Sequence, residues 1–258
     1  MFDAHCHLDL CKEDPQALLL RARNKGITDV MISGVEAKSW KSQNDLVGPG
    51  VHVAWGVHPW RVANAPDEWV NEIGDLHRLL SRSTIIPKAL GETGLDYGKR
   101  IDKSSHARQC EAFRLQIRLA KSHSLPLILH IVRAHHDAVR ILKEEGVPEA
   151  GGLVHSFSGN DIQALQYTKL NLHISFSGSV TNPRSTRIRK AASMVPIERL
   201  LVESDAPDQT PFHRKPSPNE PAFLIDVIAA LAELRGCEES RLATTTAENA
   251  HTLFRTRS

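Results

Sequence analysis

A closed barrel of eight parallel strands alternating with helices is the fold this sequence predicts, and three observations predict it. Short β-rich apolar runs alternate with helical patterns along nearly the whole chain. Eight such units fit within 258 residues, and (β/α)8 TIM barrels take about 250. No G-x-G-x-x-G follows the first run, which argues against an open, doubly wound sheet. The alternation itself implies a parallel sheet. Residues 1–258 read as a single α/β domain, without a linker, a low-complexity tract or a shift in composition.

The first strand is expected at Phe2–His7, followed by a helix at Pro15–Lys25 that stops at Gly26. Ile27–Ser33 and Val51–Val57 are the next strands, with helical Ala37–Leu46 between them. Asp67–Leu80 carries Trp69, Ile73, Leu76 and Leu80 at helical spacing. Ile85–Leu90 reads as the fourth strand. A long helix, Ser105–His123, places Phe113, Ile117 and Ala120 on one face and stops before Pro126. Leu127–Ile131, Gly152–His155, Leu172–Phe176 and Arg199–Val202 complete the strands. Helices are expected at Ala134–Glu145, Asp161–Lys169, Pro183–Met194 and Glu220–Arg235, and a last one, Ala247–Phe254, would cover a barrel end. Runs such as Leu127–Leu129 are wholly apolar, as strands covered by helices require.

With 41% hydrophobic and 24% charged residues, a core can form without disulfides or structural metal. The net charge of +2 gives no strong field toward nucleic acid or membrane, so any basic surface must be local. Cys6, Cys11, Cys110 and Cys237 show no CxxC spacing and read as reduced thiols of a cytoplasmic protein. The chain opens directly into MFDAHCHLDL, where no leader is expected, and no run approaches the roughly 18 apolar residues of a membrane helix. A cytoplasmic monomer with no membrane partner is the expectation.

The chemistry begins at His5-x-His7. Residues i and i+2 of a strand share a face, so both imidazoles can reach one metal, while Cys6 between them packs toward the helices. Alone the pair carries little weight, since 14 histidines in 258 residues make one such spacing ordinary. Position adds the weight. Glu92 in ALGETGLDY, His130 in PLILH, His155 in GGLVHSFSG and Asp205 in RLLVESDAP each close a different β-rich run. In a barrel those strand ends converge on one face, where active sites lie. Four imidazoles and two carboxylates suit two divalent ions.

DAHCHLD, GETGLDY, PLILH, HSFSG, VESDAP, the NEP of Asn219–Pro221 and the ENAHTLF near the end together resemble the TatD family of metal-dependent hydrolases, in family order and over essentially the whole chain. The resemblance implies an amidohydrolase-type barrel with His5, His7 and Asp205 on one ion, His130 and His155 on the other, and Glu92 bridging. It implies single-stranded DNA as substrate, cleaved as by a 3′–5′ exonuclease, with Asp205 orienting the attacking water as general base. A divalent ion lowers the pKa of water toward neutrality, and two ions can hold both nucleophile and leaving oxygen. Mixed imidazole–carboxylate ligation suits zinc, manganese or iron, whereas magnesium is the ion often used with this family. Two departures are visible: Arg133 stands three residues after His130 instead of two, and Ser204 replaces a Thr. Ester or amide hydrolysis, such as D-aminoacyl-tRNA deacylation, is the rival enzymatic reading. A metal-stabilised binding protein is the other.

His58 in GVHPW either bonds a substrate phosphate or supports the turn after it. Arg133 has the fork to clamp an anion. Lys99, Arg100, Arg184, Arg214 and Lys215 fall on loops of the same face, with Phe212 available to stack on a base. His135 and His136 read as surface helix residues, and the four tryptophans as core or rim packing.

Overall fold

The computed structural model describes residues 1–82 and 87–256. Eight strands, β1 (Phe2–Cys6), β2 (Asp29–Ser33), β3 (Val51–Trp55), β4 (Ala89–Asp96), β5 (Leu127–Val132), β6 (Gly152–Val154), β7 (Leu172–Phe176) and β8 (Leu200–Val202), lie in sequence order. Each pairs with the next in parallel. The seam between β8 and β1 is joined by the chain just beyond β8: Asp205 N donates to His5 O at 3.0 Å and His7 N to Ala206 O at 2.7 Å. The expected barrel is therefore present.

The helices that cover it are α1 (Pro15–Asn24), α2 (Ala37–Asn44), α3 (Pro59–Asn64), α4 (Trp69–Arg82), α5 (His106–Ser122), α6 (His135–Glu145), α7 (Asp161–Thr168), α8 (Thr186–Met194), α9 (Leu224–Arg235) and α10 (Glu239–Phe254). Local chemistry sets their ends. Asp14 caps α1 by accepting from Gln16 N, with Pro15 in the first turn. Asn160 and Gln163 form a reciprocal capping box on α7. Gly236 ends α9 in the left-handed conformation. No helix among the described residues is long and apolar enough to cross a membrane.

Several boundaries differ from expectation. The fourth strand is Ala89–Asp96, further along than Ile85–Leu90, and positions 85 and 86 of that expectation lie outside the described residues. Its Gly-, Glu- and Thr-containing stretch hides it from an apolar search. Short α3 follows directly on His-Pro and has too few turns for periodicity to show. The closing helix starts at Glu239, eight residues before Ala247; its first turns are mostly polar, with Leu242 the one buried apolar side chain before Ala250, so an apolar search begins it late.

The core has two compartments. The larger lies between strands and helices and includes Cys6, Leu90, Leu129, Val154 and Phe176. The smaller fills the lower barrel with Phe2, Ala4, Met31, Ala54, Ala89, Ile128, Leu153 and Leu201, and α10 plugs it with Ala250, Leu253 and Phe254. Strict alternation in β1 would continue the inward face from Phe2 and Ala4 to Cys6. Instead β1 spends three residues, Asp3 to Cys6, where β2 spends two, Val30 to Ile32. The extra residue reverses the parity, so that His5 and His7 turn inward and Cys6 joins the outer core. β4 does the same between Leu90 and Thr93 against Leu127 and Leu129. Ala89 faces in below the irregularity, and Glu92 and Asp96 face in above it.

Two stability predictions follow from this interior. Phe254 is 1% exposed, and Phe254→Ala is expected to cost about 3–5 kcal/mol in chemical denaturation; a cost below about 1 would show that the plug contributes little. His173, inward on β7 opposite Leu153, is held by burial at about 4. The unfolded chain binds a proton that the folded one refuses, so stability is full above about 6.5 and falls as pH drops toward 4. Between pH 6.5 and 5, unfolding free energy should fall by about 2 kcal/mol more in the wild type than in His173→Leu. Equal falls would remove His173 from the acid response.

Candidate metal centre

Above the apolar floor the barrel interior turns polar. His5 Nε2 and His7 Nε2 stand 3.1 Å apart. Glu92 Oε2 is 3.5 Å from the first and 3.3 Å from the second, and Asp205 Oδ1 is 3.6 and 3.9 Å from them. Ligands about 2.0–2.2 Å from a tetrahedral ion lie roughly 3.3–3.6 Å from one another, so these atoms have the spacing of a coordination shell. Glu92 Oε2 is buried without a hydrogen-bond partner, which a bound cation would remedy.

The other oxygen of the same carboxylate faces a second group. Glu92 Oε1 lies 2.8 Å from His130 Nδ1, 2.7 Å from His155 Nε2 and 3.1 Å from His58 Nε2. These are hydrogen-bond distances, and the group must open by about half an ångström to admit an ion. All six expected ligands thus come together around Glu92. His5, His7 and Asp205 form one cluster able to hold a metal, and His5, Glu92 and His155 form another.

Outer partners decide which nitrogen lone pairs are free. His7 Nδ1 donates to Ser33 O at 2.9 Å, so Nε2 is the nitrogen turned toward the site. His5 Nδ1 bonds Ser33 Oγ at 2.9 Å. His130 Nε2 meets Asp96 Oδ2 at 2.9 Å, which turns the Nδ1 lone pair to Glu92. His58 differs. Its Nδ1 accepts from Trp60 N at 2.9 Å, so the proton of the neutral ring sits on Nε2 and points at Glu92. His58 therefore presents a donor where the others present lone pairs.

The electrostatics ask for positive charge. Burial would raise Glu92, but the imidazoles of His155, His58 and His5 hold it well below the usual carboxylate range. Burial, with Glu203 and Glu92 nearby, pushes Asp205 up to about 7. Burial depresses His5 and His58 to about 4. Against the same burial, Glu92 and Asp205 lift His7 to about 9. Buried carboxylates in this number are stable only beside cations. The donor set fits a divalent metal.

Four positions correct the expectations. Glu92 and His130 lie inside β4 and β5, and each strand runs on, to Asp96 and Val132. His155 does follow β6 directly, and Asp205, at a left-handed φ of 57°, stands three residues past β8. His135 is only half-exposed, bonded to Tyr167 Oη at 3.1 Å and packed on Phe157, because its helix faces α7 there; His136 is exposed as expected.

Several residues join the site unannounced. Asp96 orients His130. Glu203, fully buried, lies 3.4 Å from His155 Nδ1 and accepts from Ser156 N at 2.6 Å. Asp3 accepts from Ser204 N at 2.8 Å and Ser204 Oγ at 2.5 Å, so that hydroxyl fastens β1 to the loop carrying Asp205. Ser in place of Thr keeps this bond. The alternation rule would have found Glu203, two residues before Asp205, and Asp96, four after Glu92 on the same inward face of β4; what no spacing reveals is the partner each side chain takes.

A cavity of about 730 Å³ opens over this floor, lined in part by His7, His58, Trp60, Lys99, Arg100 and Asp205. Arg133 is exposed at a left-handed φ of 55°, and it is not among the residues lining the cavity. Arg184, Lys215 and Phe212 also lie outside the lining, and Arg214 is taken by Asp226 and by the ring of Phe223.

Residues 2–255 match the family model described as TatD related DNase. The chain is 32% identical to the uncharacterized metal-dependent hydrolase YabD of Bacillus subtilis, over 99% of both proteins. It is 33% identical to the 3′-5′ ssDNA/RNA exonuclease TatD of Pantoea vagans, again over 99% of each. The crystal structure of YjjV, a TatD homologue of Escherichia coli, superposes with a TM-score of 0.93 at 31% identity, covering 100% of this chain and 98% of that one.

Metal analysis gives the direct check on the centre. Divalent ions should bind to near two per chain and raise the melting temperature, and Glu92→Gln should lower the bound metal well below that of the wild type. Unchanged loading in Glu92→Gln would remove Glu92 from the ligand set.

Proposed function

The chain belongs to the TatD family of metal-dependent hydrolases, and from that premise we propose that it hydrolyses phosphodiester bonds of single-stranded DNA, as a 3′–5′ exonuclease working with two divalent ions. Magnesium, manganese and zinc are the candidates. His5, His7 and Asp205 hold one ion, His130 and His155 the other, and Glu92 bridges them. The observation that carries this reading is the division of Glu92, with Oε2 toward His5 and His7 and Oε1 toward His130 and His155. When bound, such ions supply Lewis-acid activation of water and neutralise charge on the phosphate.

The chain's own groups do the rest. Asp205, at the cavity floor, orients the attacking water and takes its proton. His58, whose Nε2 proton faces Glu92 Oε1 at 3.1 Å, would be released to donate to a phosphate oxygen once that carboxylate oxygen is taken up by an ion. Asp96 and Ser33 fix the ring orientations of His130 and His7, so the geometry is set before substrate arrives. The apolar barrel floor keeps bulk water from the underside. Arg133, exposed beyond the lining, engages the strand away from the reacting phosphate. A substrate of this class is favoured by the name of the Pantoea relative and by Lys99 and Arg100 on the cavity wall.

Single-stranded DNA labelled at its 5′ end tests the reading. The label should shift through a ladder as the 3′ end shortens, chelator should stop the reaction, and Asp205→Asn should lose about 10²–10⁴-fold in rate while keeping its fold. Intact DNA together with release of amino acid from D-aminoacyl-tRNA would replace the nuclease with a deacylase. Tight metal binding with no turnover on either would make the protein a binding module.

A further inference from the structure

Three of the four tryptophans are core residues: Trp40, Trp55 and Trp69 are 1%, 1% and 4% exposed. Trp60 is 51% exposed and forms part of the cavity wall over the metal centre. The other large exposed aromatic side chain among the described residues, Phe212, lies off that wall, so Trp60 is set apart by its place over the centre and not by exposure alone. We propose that Trp60 is the platform on which a nucleobase flanking the reacting phosphate stacks. This rests on the single-stranded DNA reading above and adds to it the residue that recognises the base.

The ring is fixed before any ligand arrives. Trp60 Nε1 donates to Asp96 Oδ2 at 2.6 Å, and its backbone N donates to His58 Nδ1 at 2.9 Å. The imidazoles of His58 and His130 cross it at 69° and 70°, with centroids 5.0 and 6.0 Å away. The indole therefore cannot swing away from the wall, and a ligand pays little to order it. Its one hydrogen-bond donor is already spent on Asp96. What it offers is an aromatic face with no free donor, which suits a flat ring.

The surroundings narrow the ligand further. Arg61, on the same wall, is engaged by Glu72 at 2.6 Å and by Glu68. Lys99 and Arg100 are exposed, and no carboxylate partner for them is found among the described residues. A flat ring carried on an anionic backbone satisfies both features, and that is a nucleotide. Stacking of this kind tolerates any base, since every base has a π face. The closeness of Trp60 to His130 places the stacked base next to the phosphate at the centre and not farther along the strand. Asp96 Oδ2 receives both Trp60 Nε1 and His130 Nε2, so platform and site share one rigid acceptor.

The competing role is mechanical, with the indole N–H merely steering Asp96 toward His130. Two 5′-labelled single-stranded oligonucleotides separate the two roles, identical except that the last nucleotides at the 3′ end carry thymine in one and are abasic in the other. The wild type should prefer the thymine strand about ten- to a hundredfold in kcat/KM, chiefly through KM. Trp60→Leu should reduce that ratio to near one, while Trp60→Phe, which keeps a ring and lacks the N–H, should retain most of it. Both variants should load metal as the wild type does. A ratio preserved in Trp60→Leu, a Phe variant as impaired as the Leu one, or a wild type indifferent to the base would each overturn the platform. Cleavage of neither strand by the wild type would overturn the nuclease reading and the platform with it, whereas cleavage without discrimination overturns the platform alone.

Discussion

A single carboxylate, that of Glu92, sits where the two halves of the histidine constellation meet, 1% exposed and touching five imidazoles. Burying that charge is costly unless each oxygen is matched by positive charge or a donor. Most of the upper barrel is organised to meet the demand. His5 approaches from β1 and His7 from just beyond it, His58 from beyond β3, His130 from β5 and His155 from beyond β6. Outside them Ser33 and Asp96 hydrogen-bond the rings from behind, and Glu203 faces His155 Nδ1 at 3.4 Å. Remove the central anion and the two halves of the constellation lose the one group that touches both.

Bringing Glu92 there requires backbone as much as chemistry. β3, β4 and β5 pack so closely that a Cβ on Gly56 would come within 2.6 Å of Gly91 C, and one on Gly94, at φ +132°, within 2.2 Å of His130 O. Glycine at these positions lets the irregular turn of β4 lie flat against its neighbours. The same device in β1 turns His5 and His7 inward over a floor of Phe2 and Ala4. Two one-residue irregularities therefore convert an apolar barrel floor into a polar barrel mouth. The strands below them pack, and the strands above them do chemistry.

The fold was legible in the sequence because it rests on repetition: eight apolar runs alternating with helices leave few other architectures. The six residues that meet around Glu92 could be picked out because each closes or nearly closes such a run. The limits were physical too. β4 spends its residues on Gly, Glu and Thr, so an apolar search ends it before Glu92 is reached. Asp96 and Asp3 act through tertiary hydrogen bonds to His130 and Ser204, partners more than thirty and two hundred residues away. Trp60 looked like packing, since nothing in GVHPW says that its N–H is spent on Asp96 and its ring left bare. Ser204 looked like a neutral exchange, and only the bond to Asp3 shows that its hydroxyl is what matters.

The plug of Ala250, Leu253 and Phe254 under the barrel has a consequence for traffic. With its lower end sealed, the barrel is a blind cup and not a tube. A polymer cannot be threaded through it. Substrate would enter by the same mouth through which product leaves. For a polymer of the kind proposed above, only an end or a bent loop could then be lowered to the floor, and the departing fragment and the next one would share a single doorway.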